Sequence, residues 1–242
     1  MRSSRSVRLS EAGAALKAHA ASFLGQYQSM LDAVRPYARK RQPLRIAYCG
    51  PIEQDVLRRV IAHYRYMYPH AELSIRYASQ TRAKNDLLSG ACDVVFSVAA
   101  EMKGEAVNAV LLCRNPLCAA VSPHSSLAHY KQLTVEDIRD QKILLITPDS
   151  AQKGNERVRA LLQRMGVHAE QIEEVDSIET QVFQIEMGMG VSFLPANEAL
   201  GRGRIAFVPF EGMNSVHEIF MFYRTVTPQL EGFIEAVQME QE

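Results

Sequence analysis

LRIAYCGPIEQDVLRRVIAHYRYMYPHAELSIRYASQTRAKNDLLSGACDVVFSV, residues 44–98, is the stretch whose reading decides the fold. Leu44, Ile46 and Tyr48 alternate with Arg45 and Ala47, the two-residue period of a half-buried strand. Residues 53–68 change to the helical period, with Val56, Val60 and Tyr64 on one face. Leu73, Ile75 and Tyr77 alternate again as a second strand. Residues 82–89 read as a short helix stopped by Gly90, and residues 93–98 as a short buried strand. A strand–helix–strand–helix–strand succession returns each strand in the same direction, so it predicts a parallel sheet covered by helices.

Downstream the same order repeats. KILLI (142–146) reads as a strand, 154–165 as a helix, 174–176 as a short strand, 178–188 as a helix and GVSFL (190–194) as a strand. Between the two units lies an extended apolar stretch, VLLCRNPLCAAV (110–121). After them come strand-like segments at 205–210 and 218–224 and a last helix at 229–239. Two α/β units joined by two long connections predict two Rossmann-like lobes arranged as in type 2 periplasmic binding proteins. Lobe I is expected over about 44–113 and 212–242, lobe II over about 118–208. A guest would then bind between them, at the C-terminal ends of the strands.

Upstream, residues 10–39 read as one long helix, capped by Ser10 with Glu11 in its first turn. Leu16, Ala20, Phe23, Tyr27, Met30 and Val34 follow one another in steps of four and three, a heptad seam. No neighbouring sequence covers that seam, so a second copy of the chain is the expected partner; packing on its own domain is the alternative. Pro36 and the run Arg39-Lys40-Arg41-Gln42-Pro43 mark the boundary, giving a linker-helix region at 1–40 and a second domain at 41–242.

Composition narrows the classes. Residues 1–45 carry nine Lys/Arg against two acids, and the remainder 18 against 25, so a basic end precedes an acidic body of the opposite net charge. That asymmetry points to an anionic partner at the front end, or to a solvated basic helix. No run of 18 uncharged apolar residues occurs, and MRSSRSVRLSEAG lacks an apolar signal region, so neither a membrane span nor secretion is expected. Cys49, Cys92, Cys113 and Cys118 form no CxxC pair and are expected reduced in a cytoplasmic protein, with redox sensing as the alternative. The seven histidines are dispersed, and the sequence has no nucleophile elbow, HExxH, P-loop or GxGxxG. No catalytic residue, metal site or cofactor is therefore expected.

The motifs, taken in order, resemble the LysR-type transcription regulators. RSSRSVRLSEAGAAL (2–16) is similar to the wing and start of their linker helix, with Ser10 replacing a threonine cap. LRIAY opens the first lobe, and HYRYMYPHAELSI (63–75), LLSGACDVVF (87–96) and MGMGVSFLPA (187–196) keep the family's order and spacing. Ser126 stands where the family usually has proline. The resemblance covers essentially the whole chain and implies an effector-binding domain without the helix-turn-helix. Contact with DNA is then expected only through that missing domain, with Arg2 and Arg5 as a DNA-proximal remnant.

The resemblance also implies a small-molecule effector between the lobes. Its expected contacts are Cys49, Gly50, Pro51 and Ile52 in the first strand–helix loop, Ser79, Gln80 and Thr81 in the second, Val98, and Thr147, Ser150 and Phe193 of the second lobe. Composition alone makes Phe193 a core residue. The loop before residue 82 is the better anion cradle, because Glu53 and Asp55 already bring negative charge to the first loop's helix. The heptad residues imply a homodimer or tetramer. Rival readings are a transporter's solute-binding protein, an enzyme on the same scaffold, and a natural truncated regulator acting through mixed dimers.

Overall fold

A computed structural model describes residues 10–38, 43–147, 158–164, 166–167 and 169–241. The first helix, α1 (Glu11–Ala38), starts where the Ser10 hydroxyl accepts the Gly13 amide at 3.1 Å. Leu16, Ala20, Phe23, Leu24, Tyr27 and Met30 are all exposed on it, and the Phe23 and Tyr27 rings stack. The side chain of Val34, and Arg2 and Arg5 entirely, lie outside the described residues.

The deciding stretch folds as β1 (Leu44–Tyr48), α2 (Pro51–Met67), β2 (Leu73–Tyr77), α3 (Gln80–Leu88) and β3 (Val94–Val98). β1 lies between β2 and β3 and is parallel to both. Val56, Val60 and Tyr64 bury the expected face of α2. Two strands depart from simple alternation. Ala47 is as buried as its neighbours, so β1 is covered on both sides. Ile75 and Tyr77 are exposed, because β2 is the edge of the sheet.

A short helix, α4 (Ala99–Met102), leads into the 14-residue strand β4 (Asn108–Val121). Then follow β5 (Ile143–Ile146), α5 (helical over the described residues 158–164), β6 (Ile172–Val175), α6 (Ile178–Glu186), β7 (Ser192–Pro195), α7 (Glu198–Gly201), β8 (Ala206–Val208), β9 (Val216–Tyr223) and α8 (Pro228–Gln241). β6 begins two residues earlier than expected, and β7 begins at Ser192 rather than Gly190.

β4 belongs to both halves. Asn108–Pro116 pair antiparallel with β9, which pairs in turn with β3; Leu117–Val121 pair with β7 and β8. A parallel bridge between Ile143 and Val191 sets β5 beside β7, and β6 follows β5. Gly190 permits that bridge, since a Cβ there would lie 2.7 Å from the Lys142 carbonyl oxygen. Two cores result. Leu44, Ile46, Val60, Phe96 and Phe233 anchor the first; Val121, Leu145, Leu162, Phe193 and Phe210 anchor the second. Each such side chain contributes roughly 1.5–3 kcal/mol on burial.

Arg45 joins the starts of β1 and β3. Its guanidinium donates to both carboxylate oxygens of Asp93, at 3.0 and 2.9 Å, and to the Gly90 carbonyl at 2.6 Å. The paired fork is the strong form of an ion pair, and it explains the Gly90-to-Asp93 spacing. No helix among the described residues is long and apolar enough to cross a membrane.

Candidate functional site: the seam between the halves

The parallel register of β1, β2 and β3 brings their C-terminal ends to one edge of the first half. There the loops 49–50 and 78–79 emerge beside each other, with Ala78 donating its amide to the Tyr48 carbonyl at 3.0 Å. Ile52 and Val98 leave this edge and join an apolar cluster that also holds Leu144, Val182, Leu194 and Leu200 of the second half. Leu112 and Cys113 of β4 and Ile178 of α6 pack against the same cluster. The structure therefore brings Ile52 and Val98 together at the seam. Cys49 packs instead on the small-residue cluster around Ala47, Ala78 and Ala83.

The remaining expected residues divide. Ser79 caps α3, its hydroxyl accepting the Arg82 amide at 3.4 Å; Gln80 is half-buried and Thr81 exposed. Thr147 closes β5, donating its amide to the Val175 carbonyl at 2.8 Å. Phe193 does not face the seam cluster: it is buried in the second core, edge-on to Phe210 with ring centroids 4.9 Å apart. β7 lies between β4 and β5, and its two apolar side chains part: Phe193 joins the second core while Leu194 joins the seam cluster. Ser150 lies outside the described residues.

Glu53 is the site residue that sequence reasoning under-read. Gly50 precedes α2 in extended backbone and offers no side chain to cap it. The Glu53 carboxylate folds back over Gly50, close enough that a Cβ on residue 50 would lie 2.7 Å from Oε2. The backbone amide of Glu53 itself lies near enough to favour the charged form slightly. The side chain is only 5% exposed. Burial pushes its pKa up to about 7, against a smaller lowering by that amide. The basic residues of the next turn do not compensate it, since Arg58 and Arg59 pair with Asp55, and Arg59 also with Glu240. Cys113, whose thiol burial pushes up, lies near enough on β4 to be raised further by the Glu53 charge. The sequence signal was present, an acid three residues after Gly50, but its burial depends on β4 and the second half.

A polar link crosses where β4 changes partners. Asn197 caps α7 by accepting the Ala199 amide at 2.8 Å, and donates to the Asn115 side-chain oxygen at 3.0 Å. Opposite Asn115 on β9 is His217, whose pKa burial lowers. No sequence signal pairs two asparagines so far apart. A separate apolar recess of about 420 Å³ lies at the other end of α2, between Tyr64, Tyr68 and Pro228 of α8. Among the described residues no cluster of three or more His, Cys, Asp or Glu is placed to hold a metal, and none of the four cysteines is in a disulfide.

Comparison with known proteins agrees with this architecture. The chain is 24% identical over 229 residues to the HTH-type transcriptional regulator BenM of Acinetobacter baylyi (strain ATCC 33305 / BD413 / ADP1), covering 93% of this chain and 75% of BenM. It is 21% identical over 197 residues to the regulator AlsR of Bacillus subtilis (strain 168), covering 81% of this chain and 65% of AlsR. The solved BenM effector-binding domain with its effector benzoate superposes with a TM-score of 0.67 at 21% identity, over 81% of this chain and 90% of that one. Full-length CbnR complexed with its target DNA gives 0.66 at 22% identity, over 98% and 83%. The fold is thus the periplasmic-binding-protein-like one of these effector-binding domains. The model of the LysR substrate binding domain matches residues 38–241, and the chain belongs to that family.

Proposed function

We propose that this chain is the effector-sensing and oligomerising part of a LysR-type transcription regulator, working in the cytoplasm and without catalytic activity of its own. Its lobes are 44–113 with 212–242 and 118–208, preceded by a linker-helix region ending near residue 40. A small molecule enters the seam below the loops at 49–52 and 79–81, against Ile52 and Val98 and near Thr147. It shifts the angle between the halves to the extent that it binds one arrangement more tightly than the other. A second copy packs on the heptad face of α1, and that rod carries the change to a DNA-binding domain of the kind the relatives possess. Arg2 and Arg5, which precede the rod in the sequence, are the proposed DNA-proximal remnant. The observation that supports this reading best is the apolar cluster shared by Ile52 and Val98 with Leu144, Val182 and Leu200, directly under the strand ends.

Native mass spectrometry of the purified chain tests it, together with thermal denaturation against a small-molecule collection. The expected result is a co-purified or stabilising small molecule whose effect is lost in Val98→Trp, which fills the seam. A molecule that stabilises Val98→Trp and wild type equally would place the site elsewhere.

A further inference from the structure

We infer that the seam accepts a guest carrying a positive charge, an ammonium, amidine or guanidinium group that pairs with the Glu53 carboxylate. It is not built for a carboxylate docked on the N-terminus of α2. The inference rests on the seam being the effector site, and it adds the chemical class of the effector.

The amides that open α2 are the obvious seat for an anion. In this chain a carboxylate from within already stands over that seat, because the Glu53 side chain folds back over Gly50. A second carboxylate there would meet a like charge in a water-poor site. Among the described residues no basic side chain is paired with the buried carboxylate. Arg58 and Arg59 on its own helix are engaged with Asp55 and Glu240. From β4 it is faced by Cys113, whose thiol is neutral at physiological pH because burial raises it. The helix α7, which packs on α2, carries exposed Glu198 in its first turn; Arg202 follows as its C-cap, and Arg204 pairs with Glu186. A buried carboxylate in such surroundings is stabilised by an incoming cation more than by any other guest. Ile52, beside it in the chain, supplies an apolar wall for the body of the guest.

The test uses the full chain and matched probes that share a body and differ in charge. Benzylamine, benzamidine and cyclohexylamine form one arm; benzoate and cyclohexanecarboxylate form the other. Calorimetric titration at pH 8 is expected to show binding in the amine arm, at least tenfold weaker in Glu53→Gln, and no carboxylate binding that depends on the seam. A second readout needs no variant. The amines remain protonated, so their affinity for wild type is expected to fall about tenfold from pH 8 to pH 6, as the carboxyl takes up its proton around pH 7.

An amine arm that is silent overturns the inference, and so does amine affinity that ignores both Glu53→Gln and pH. Carboxylate binding that Val98→Trp abolishes would overturn the charge assignment yet leave the effector-sensing reading standing. Silence in both arms, with nothing co-purifying, would overturn both.

Discussion

At the scale of single residues, Glu53 ties the seam to the proton concentration. Its carboxyl has an ordinary pKa of 4.5 when the chain is unfolded and about 7 when folded. The folded chain therefore binds that proton more tightly. The contribution to stability is fully present below pH 4.5 and is lost as pH rises through 7, by about 3 kcal/mol at roughly 1.4 kcal/mol per unit. His217 works in the opposite sense: burial lowers its pKa, so its contribution is present above its unfolded pKa and is lost as pH falls through the folded value. Comparison of wild type with Glu53→Gln isolates the carboxyl, because His217 is common to both. Urea denaturation at pH 5, 6, 7 and 8 is expected to show the variant gaining on wild type across the series, and to be the more stable protein at pH 8. Parallel curves would mean that the carboxyl is hydrated in solution.

At the scale of elements, what the sequence reveals is what local periodicity and turns impose. Val56, Val60 and Tyr64 declare the buried face of α2 by their spacing alone, and Ser10 declares the start of α1. Facts that depend on distant partners stay hidden. Ile75 and Tyr77 alternate as an inward-facing set would, yet they are exposed on β2, the edge strand of the sheet among the described residues. The reason for the Gly90-to-Asp93 spacing is Arg45, nearly fifty residues away. Glu53 was legible as a first-turn acid but not as a buried one, and Phe193 is core because β5 and β4 close around its strand.

The heptad of α1 lies between these cases, since its pattern is local and its partner is another molecule. Leu16, Phe23, Tyr27 and Met30 are exposed on one copy, which an isolated helix in water does not favour. Sedimentation velocity at tens of micromolar is expected to give a dimer or tetramer for wild type. A smaller species is expected for Phe23→Glu combined with Tyr27→Glu, with the far-ultraviolet spectrum of the α/β body unchanged. A wild-type monomer would remove the rod from the mechanism.

At the scale of the whole molecule, the halves are joined by β4 and by the return segment 209–215 that leads from β8 into β9, and Asn115–Leu117 is where β4 passes from β9 to β7. Any change of angle between the halves must be absorbed at these two connections, and the Asn115–Asn197 bond spans the β4 crossing from the side of α7. Asn197 does two separable jobs there. As a cap it accepts the Ala199 amide; as a link it donates to the Asn115 oxygen. Asn197→Asp keeps an acceptor at the cap, with added negative charge that a helix start favours. It removes the donor, however, and sets a carboxylate against the Asn115 oxygen. Asn197→Ala loses both, and its cap alone is worth about 1 kcal/mol.

The two variants therefore separate stability from coupling. Asn197→Ala is expected to lower the denaturation midpoint more than Asn197→Asp. Both are expected to widen the distribution of interlobe distances, read by electron–electron spin resonance between labels on β2 and α6. If only stability changes and the distance distribution stays that of wild type, the two connections alone set the angle, and the asparagine bridge is a cap and nothing more.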